Sequence, residues 1–166
     1  MEEPIEYNEK KLDQEIQTIV QEACVDYHSN QPQKAISFSD FFTNKMMMIS
    51  VIKEGVPYSL FKLIQQYSPF SENDWAGLLD ISTKSLQRYK ISAKSFKSSQ
   101  SEKILEVAEV TNMGREVFGD MNKFKLWLNT PNFSLGNLKP FDLLSDSYGK
   151  EMVISELTRI NYGILV

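Results

Sequence analysis

An all-α fold is predicted by three features of the 166-residue sequence. Apolar residues recur at intervals of three and four, side chains suited to capping stand ahead of these runs, and neither period-2 alternation nor an internal repeat interrupts them. With 42% hydrophobic and 24% charged residues, the composition is that of a soluble globular chain with one domain or two small ones.

Leu12, Ile16, Ile19, Ala23 and Tyr27 share one face of a first, amphipathic helix with an acidic outer side, on which Cys24 and His28 read as ordinary helix residues. A polar connector, residues 29–33, precedes a second apolar pattern running from Phe38 through Phe41, Phe42, Met46 and Ile49 to Ile52 and stopping at Gly55-Val56-Pro57. The three methionines Met46–Met48 suit gap-filling core or a partner surface. Leu60, Phe61 and Ile64 lie on one face of the next helix, which breaks at Ser68-Pro69. Ser71 then caps residues 72–79, and Ser82 caps a short helix ending near Lys90, each hydroxyl accepting from an otherwise orphaned N–H. Ser99 and Glu102 have capping-box spacing ahead of a longer helix carrying Ile104, Leu105, Ala108 and Val117, which Gly119 can terminate. Asp120 starts the next helix, with Phe124, Trp127 and Leu128. Residues 129–139 read as a loop, Pro140 opens a brief turn with Leu143 and Leu144, and a last helix carries Met152, Val153, Leu157 and Ile160 from about Ser147 to Asn161. Phe118, Trp127, Leu143 and Leu144 are expected to be core residues.

Counting excludes several kinds of chemistry. One histidine and one cysteine cannot build a Cys/His zinc site or an internal disulfide. The seven glycines form neither a dinucleotide fingerprint nor a phosphate-binding loop, and no cofactor is expected. The longest apolar stretch, residues 46–52, is far shorter than the roughly 20 residues a bilayer requires, so the expectation is a cytoplasmic protein with no membrane partner. The net charge of −4 conceals an uneven distribution. Residues 1–30 hold eight acids and two lysines, whereas residues 81–101 hold Lys84, Arg88, Lys90, Lys94 and Lys97 and no acid. A local field of this kind, not the average, steers a polyanion.

That basic segment overlaps the strongest local pattern, residues 75–89, whose spacing suits two short helices crossing over a tight turn. Ala76 is small where the helices approach, Leu79, Ile81 and Leu86 can fill the shared core, and Asp80 occupies a turn position where glycine is common. The second helix then offers Thr83, Lys84, Gln87 and Arg88, followed by Lys90 and Lys94, to phosphates or base edges in a major groove. A helical hairpin used only for packing or dimerisation is the alternative.

The stretch from Trp75 to Tyr89 resembles the helix-turn-helix of the Xre family, and the sequence beyond it resembles the Xre/MbcA/ParS toxin-binding domain of bacterial antitoxins. The resemblance is carried by Leu86-Gln87-Arg88-Tyr89, Ser101-Glu102-Lys103-Ile104 and Val117-Phe118-Gly119. It continues through Trp127-Leu128, Pro131-Asn132, Leu135-Gly136, Pro140, Asp142-Leu143-Leu144 and Gly149 to Leu157, Arg159-Ile160 and Tyr162-Gly163. Order and spacing are intact over about residues 57–166. Two positions depart from the family pattern. Lys103 stands where arginine is usual, keeping charge without bidentate geometry, and Asn137 stands where a second glycine is common, asparagine being tolerant of left-handed backbone.

The resemblance implies an Xre-like helix-turn-helix region at 57–98 and a small helical toxin-binding domain at 99–166; residues 1–56, an acidic helical segment by charge and periodicity, have no equally specific match. It implies the antitoxin of a type II pair, not itself an enzyme, that neutralises a cognate toxin, most often a RES-domain enzyme acting on NAD. Operator binding is implied as well; it is expected to run through the basic segment and to require a homodimer, because one short recognition helix reads too few base pairs, and removal of the acidic residues 1–30 is expected not to weaken it. Gly163 ends the last helix and leaves Ile164, Leu165 and Val166 at a chain end, where residues fray unless held. Either they pack back on their own domain or, bordered by Arg159 and Tyr162, they enter the toxin's cleft. In that cleft the terminal carboxylate could occupy a site meant for an anionic substrate. Two other readings are a helix-turn-helix regulator without a toxin, and an enzyme using Asp142, Asp146 and Glu151, which nothing in the sequence pairs with a second functional group.

Overall fold

The computed structural model describes residues 5–23 and 35–164, and among them it contains ten α-helices and no strand. The helices are α1 (Ile5–Ala23), α2 (Phe38–Thr43), α3 (Lys45–Glu54), α4 (Tyr58–Tyr67) and α5 (Glu72–Leu78). They continue with α6 (Thr83–Ser92), α7 (Ser98–Phe118), α8 (Met121–Leu128), α9 (Pro140–Leu143) and α10 (Ser147–Asn161). A 3-10 turn, Phe133–Leu135, and one antiparallel bridge between Asn132 and Leu138 occupy the loop before α9. Tyr27, Cys24, His28 and the polar connector lie outside the described residues, as do Leu165 and Val166. No described helix is long and apolar enough to cross a membrane.

The order follows from α7. Ile104, Leu105, Val107, Ala108, Val110 and Thr111 are all buried and span well over half of the circumference of that helix, leaving Glu102 and Glu116 on its exposed side. A helix with so wide an apolar face needs cover from several directions; α3 and α4 pack on it from the N-terminal half, α8 and α10 from the C-terminal half. α1 packs in turn on α4, α3 and α2 through Leu12, Ile16 and Ile19. The polar groups drawn inside are satisfied: the Ser101 hydroxyl accepts from the Val56 N–H at 2.8 Å and donates to the Phe96 carbonyl at 3.2 Å, and Thr111 donates to the Val107 carbonyl at 2.8 Å.

Local capping sets most boundaries. Ser71, Ser82 and Asp120 accept from first-turn N–H groups of α5, α6 and α8, and Gly119 ends α7 in the left-handed region at φ 64°. Three expectations need correction. The apolar run from Phe38 to Ile52 is two helices, because Asn44 closes α2 with an extended backbone and its side chain then accepts from the Met47 N–H to open α3. α7 begins at Ser98, not at a Ser99 box: the Lys97 N–H donates to Gln100 Oε1 at 3.4 Å, which Tyr89 also reaches at 2.9 Å. α6 runs past Lys90 to Ser92, where Ala93 turns left-handed at φ 51°. Of the methionine triplet, Met48 is buried and Met46 faces out.

Polar ties hold the layers in register. Asp13 of α1 accepts from the Phe38 N–H at 2.6 Å, capping α2 from a distance in sequence. Arg115 of α7 pairs with Glu9 at 2.6 Å and lies over the Tyr67 ring. Glu109 of α7 pairs with Lys45 of α3 at 3.0 Å and with Lys150 of α10 at 2.6 Å, so one largely buried carboxylate joins both ends of the molecule. Burial pushes the Glu109 carboxyl up, but the hydrogen bonds and charges of Lys150 and Lys45 outweigh burial and hold its pKa below the ordinary value of 4.5. A depressed folded pKa contributes stability that is full above the unfolded value and lost as pH falls through the folded one. Glu109→Gln is therefore expected to lower Tm at pH 7 by a few degrees, reflecting about 1–3 kcal/mol, and to shrink the loss of stability below pH 4.5. Thermal unfolding from pH 7 to pH 3 checks this; an acid limb as steep as that of the wild type would show that another group carries it.

Candidate functional site

Two surfaces gather the residues that sequence reasoning singled out. The first is the α5–α6 pair. α5 ends in a closed turn: the Asp80 N–H donates to the Gly77 carbonyl at 3.1 Å and the Ile81 N–H to the Ala76 carbonyl at 3.0 Å. This pairing requires a left-handed residue between them, and Asp80 supplies it at φ 52° in place of glycine. Ala76, Leu79 and Leu86 are buried between the helices and Ile81 packs against them. Trp75 is buried behind them, its indole N–H donating to the Ser68 hydroxyl at 3.2 Å.

With Leu86 turned inward, α6 presents Lys84, Gln87, Arg88 and Ile91 along its outer face at helical spacing, and Thr83 is half-buried at the first turn. Beyond Ala93 the backbone is fixed by buried Phe96, whose N–H donates to the Val56 carbonyl at 2.8 Å and whose ring stacks on Tyr89 at 4.2 Å. Arg88, Lys94 and Lys97 thereby line one groove with Ser85 and Gln100. Lys90 lies on the other side of the helix with Gln87, in a groove shared with Glu72. Of the six sequence-predicted residues, Arg88 and Lys94 thus line one groove and Gln87 and Lys90 the other, while Thr83 and Lys84 line neither. Ile91, almost wholly exposed in the middle of the basic face, was missed; its signal was an apolar residue in an otherwise polar period.

The second surface is the end of α10. Lys103 of α7 reaches Glu106 at 2.6 Å and donates to the Leu144 carbonyl at 3.1 Å, so a single ammonium ties the end of α9 to α7 without bidentate geometry. Gly149 is required where α10 crosses α9, since a Cβ there would collide with the Leu143 carbonyl oxygen. Gly136 and Asn137 are both left-handed, at φ 70° and 61°, and the Asn137 N–H donates to the Asn132 carbonyl at 2.9 Å. Leu144 is buried; Phe118, Trp127 and Leu143 are half-buried against the core. Contrary to expectation, Met152 is not a core residue of α10, which turns Gly149, Val153 and Leu157 inward instead.

At its C-terminus α10 is closed as α5 is. The Gly163 N–H donates to the Ile160 carbonyl at 2.9 Å and the Ile164 N–H to the Arg159 carbonyl at 2.9 Å, with Gly163 left-handed at φ 67°. Arg159 pairs with Glu156 at 3.3 Å, Tyr162 is exposed, and Ile164 leaves the helix 56% exposed. Of the carboxylates considered for catalysis, Asp146 caps α10 by accepting from the Gly149 N–H at 2.8 Å, and Asp142 and Glu151 are exposed. No group of three or more His, Cys, Asp or Glu side chains able to hold a metal occurs among the described residues.

Comparison with known proteins separates the same two surfaces. Residues 47–109, which contain α5 and α6, match the antitoxin Xre-like helix-turn-helix domain. Residues 113–163, which contain α8 to α10, match the antitoxin Xre/MbcA/ParS C-terminal toxin-binding domain. The chain is also 26% identical over 117 residues to Antitoxin Xre of Photorhabdus laumondii subsp. laumondii, covering 70% of this chain and 79% of that protein.

The closed turn at Asp80 sets a test of the α5–α6 geometry. Asp80→Val forces a β-branched residue into left-handed backbone and is expected to cost about 1–2 kcal/mol, whereas Asp80→Gly keeps the turn. Equal melting temperatures for the valine variant and the wild type would show that the turn is not held in this conformation.

Proposed function

We propose that the chain is an antitoxin of the Xre/MbcA/ParS type, with a helix-turn-helix domain followed by a toxin-binding domain, that it neutralises a RES-domain enzyme that consumes NAD and that, as a homodimer, it represses its own operon. The observation that carries the reading is the toxin-binding match over residues 113–163, which ends on the exposed Tyr162 and Gly163, immediately before the exposed Ile164. Ile164, Leu165 and Val166 follow the closed end of α10 in sequence and are all aliphatic, and they are assigned to the toxin's cleft with Arg159 and Tyr162 at its border. Burying three aliphatic side chains stabilises by about 1.5–3 kcal/mol each. Ordering the segment costs about 1–2 kcal/mol per residue, so the net is modest, enough to decide inhibition where the rest of the domain docks independently.

Co-expression tests the reading. The product of the adjacent gene is expected to arrest growth and deplete NAD when expressed alone and to do neither beside this chain. Normal growth with the neighbour alone removes the basis for the pairing. Removal of residues 164–166 is expected to leave Tm and most of the complex unchanged while restoring toxin activity; full inhibition by the shortened chain excludes the tail as the blocking element.

Operator binding is assigned to the outer face of α6, with Lys84 and Arg88 contributing most and Thr83, Gln87, Lys90 and Lys94 flanking them. One short helix reads few base pairs, hence the homodimer. Log affinity should fall with log salt by about 0.9 per phosphate contact. The pair Lys84→Ala and Arg88→Ala is expected to weaken operator binding and flatten that slope by about 1.8 with the fold intact; an unchanged affinity returns α5–α6 to a packing role.

A further inference from the structure

α10 carries a second apolar stripe that the core does not use. Gly149, Val153 and Leu157 face inward, so residues 148, 152, 155, 159 and 162 fall on the opposite side of the helix at intervals of four and three. There the side chains are Tyr148, Met152, Ser155, Arg159 and Tyr162. Tyr148 is 85% exposed, Tyr162 75% and Met152 47%. The 3-10 turn packs beside α10 and adds Phe133, 79% exposed. Between turn and helix runs a groove of about 500 Å³ lined by Leu135, Tyr148, Met152 and Arg159 together with Glu151 and Glu156.

Scattered exposed apolar side chains need no explanation, but three aromatics and a methionine concentrated on one helix and its neighbouring turn do. None of them supports the fold, since the inward stripe and Lys103 already fix α10 and α9 against α7. Each aromatic ring can bury about 150–250 Å², so the cluster supplies about half or more of the roughly 800 Å² per partner that a stable interface needs.

We propose that this stripe, Tyr148, Met152 and Tyr162 with Phe133, is the docking face for the toxin, distinct from the residues that block its cleft. The inference rests on the antitoxin reading above. Two observations choose this occupant over a second copy of the chain. Every residue of the stripe lies within the toxin-binding match at 113–163, and Tyr162 leads directly into Gly163 and Ile164, so a partner seated on the stripe has the tail at its edge. The margin is acidic at Glu151, and Arg159 is already paired with Glu156. The partner surface it fits is therefore apolar with cations at its rim, the charge expected around a cleft for a dinucleotide. Docking and inhibition then separate: the stripe sets affinity and the choice of toxin, and residues 164–166 act only after it is seated.

The test uses full-length protein and the purified product of the adjacent gene. The variant Phe133→Ala, Tyr148→Ala and Met152→Ala is expected to weaken the complex by about 30-fold or more at unchanged Tm, because all three side chains point away from the core and alanine favours helix. Leu126→Ala, at an exposed apolar side chain of α8, is expected to bind as the wild type does. Wild-type binding that the triple variant keeps within twofold overturns the docking face and leaves the antitoxin reading standing. Failure of the wild type to bind overturns both. A wild-type dimer that the triple variant converts to monomer, with toxin binding retained, assigns the stripe to a second copy and overturns the proposal.

Discussion

The whole arrangement depends on the burial of α7. A 21-residue helix whose buried side chains span well over half of its circumference cannot lie on a surface with only one neighbour. α3, α4, α8 and α10 cover it from different sides, and one continuous set of buried side chains extends from Leu12 to Leu157. The long helix is therefore shared by the part of the chain that matches a helix-turn-helix domain and the part that matches a toxin-binding domain. The polar ties follow the same logic. Glu109 lies on α7 and takes one lysine from each side, and Arg115, one turn and a half further on, reaches back to α1.

With α7 consuming the inward faces of its neighbours, the function of the shorter helices resides on what is left outside. α6 gives the core Leu86 and the half-buried Tyr89 and so keeps a basic outer face around Ile91. α10 gives the core a narrow stripe beginning at Gly149, where the absence of a side chain lets α9 approach, and keeps an aromatic face on the other side. The two faces differ in chemistry: lysine and arginine on α6 suit a polyanion, and aromatic and apolar side chains on α10 suit a protein surface. Both helices are entered through a side-chain cap, Ser82 for α6 and Asp146 for α10. Left-handed residues, Asp80 before α6 and Gly163 after α10, fix where the chain goes next.

Capping is local chemistry, and it was legible. Ser71, Ser82, Gly119 and Asp120 act on N–H and C=O groups within a few positions of themselves, and α10 runs from Ser147 to Asn161 as its pattern predicts. The all-α class, the helix-turn-helix and the order of the family residues follow from the same short-range information. Asn44 escaped because its side chain and backbone serve two helices at once, which interrupts an apolar period without interrupting its count. The start of α7 escaped because Gln100 is held by Tyr89 as well as by the Lys97 N–H, a contact between elements.

The sequence by itself determined the helices, their caps and the basic charge of residues 81–101, since each depends on neighbours along the chain. Only the tertiary structure decided which apolar residues stay outside. Met152 and Val153 are adjacent and equally apolar on paper, yet Val153 is fully buried and Met152 faces solvent across the stripe that holds Tyr148 and Tyr162. Periodicity shows that a helix has an apolar face, but a helix with two such faces can bury only the one that meets α7, and that choice is made by packing.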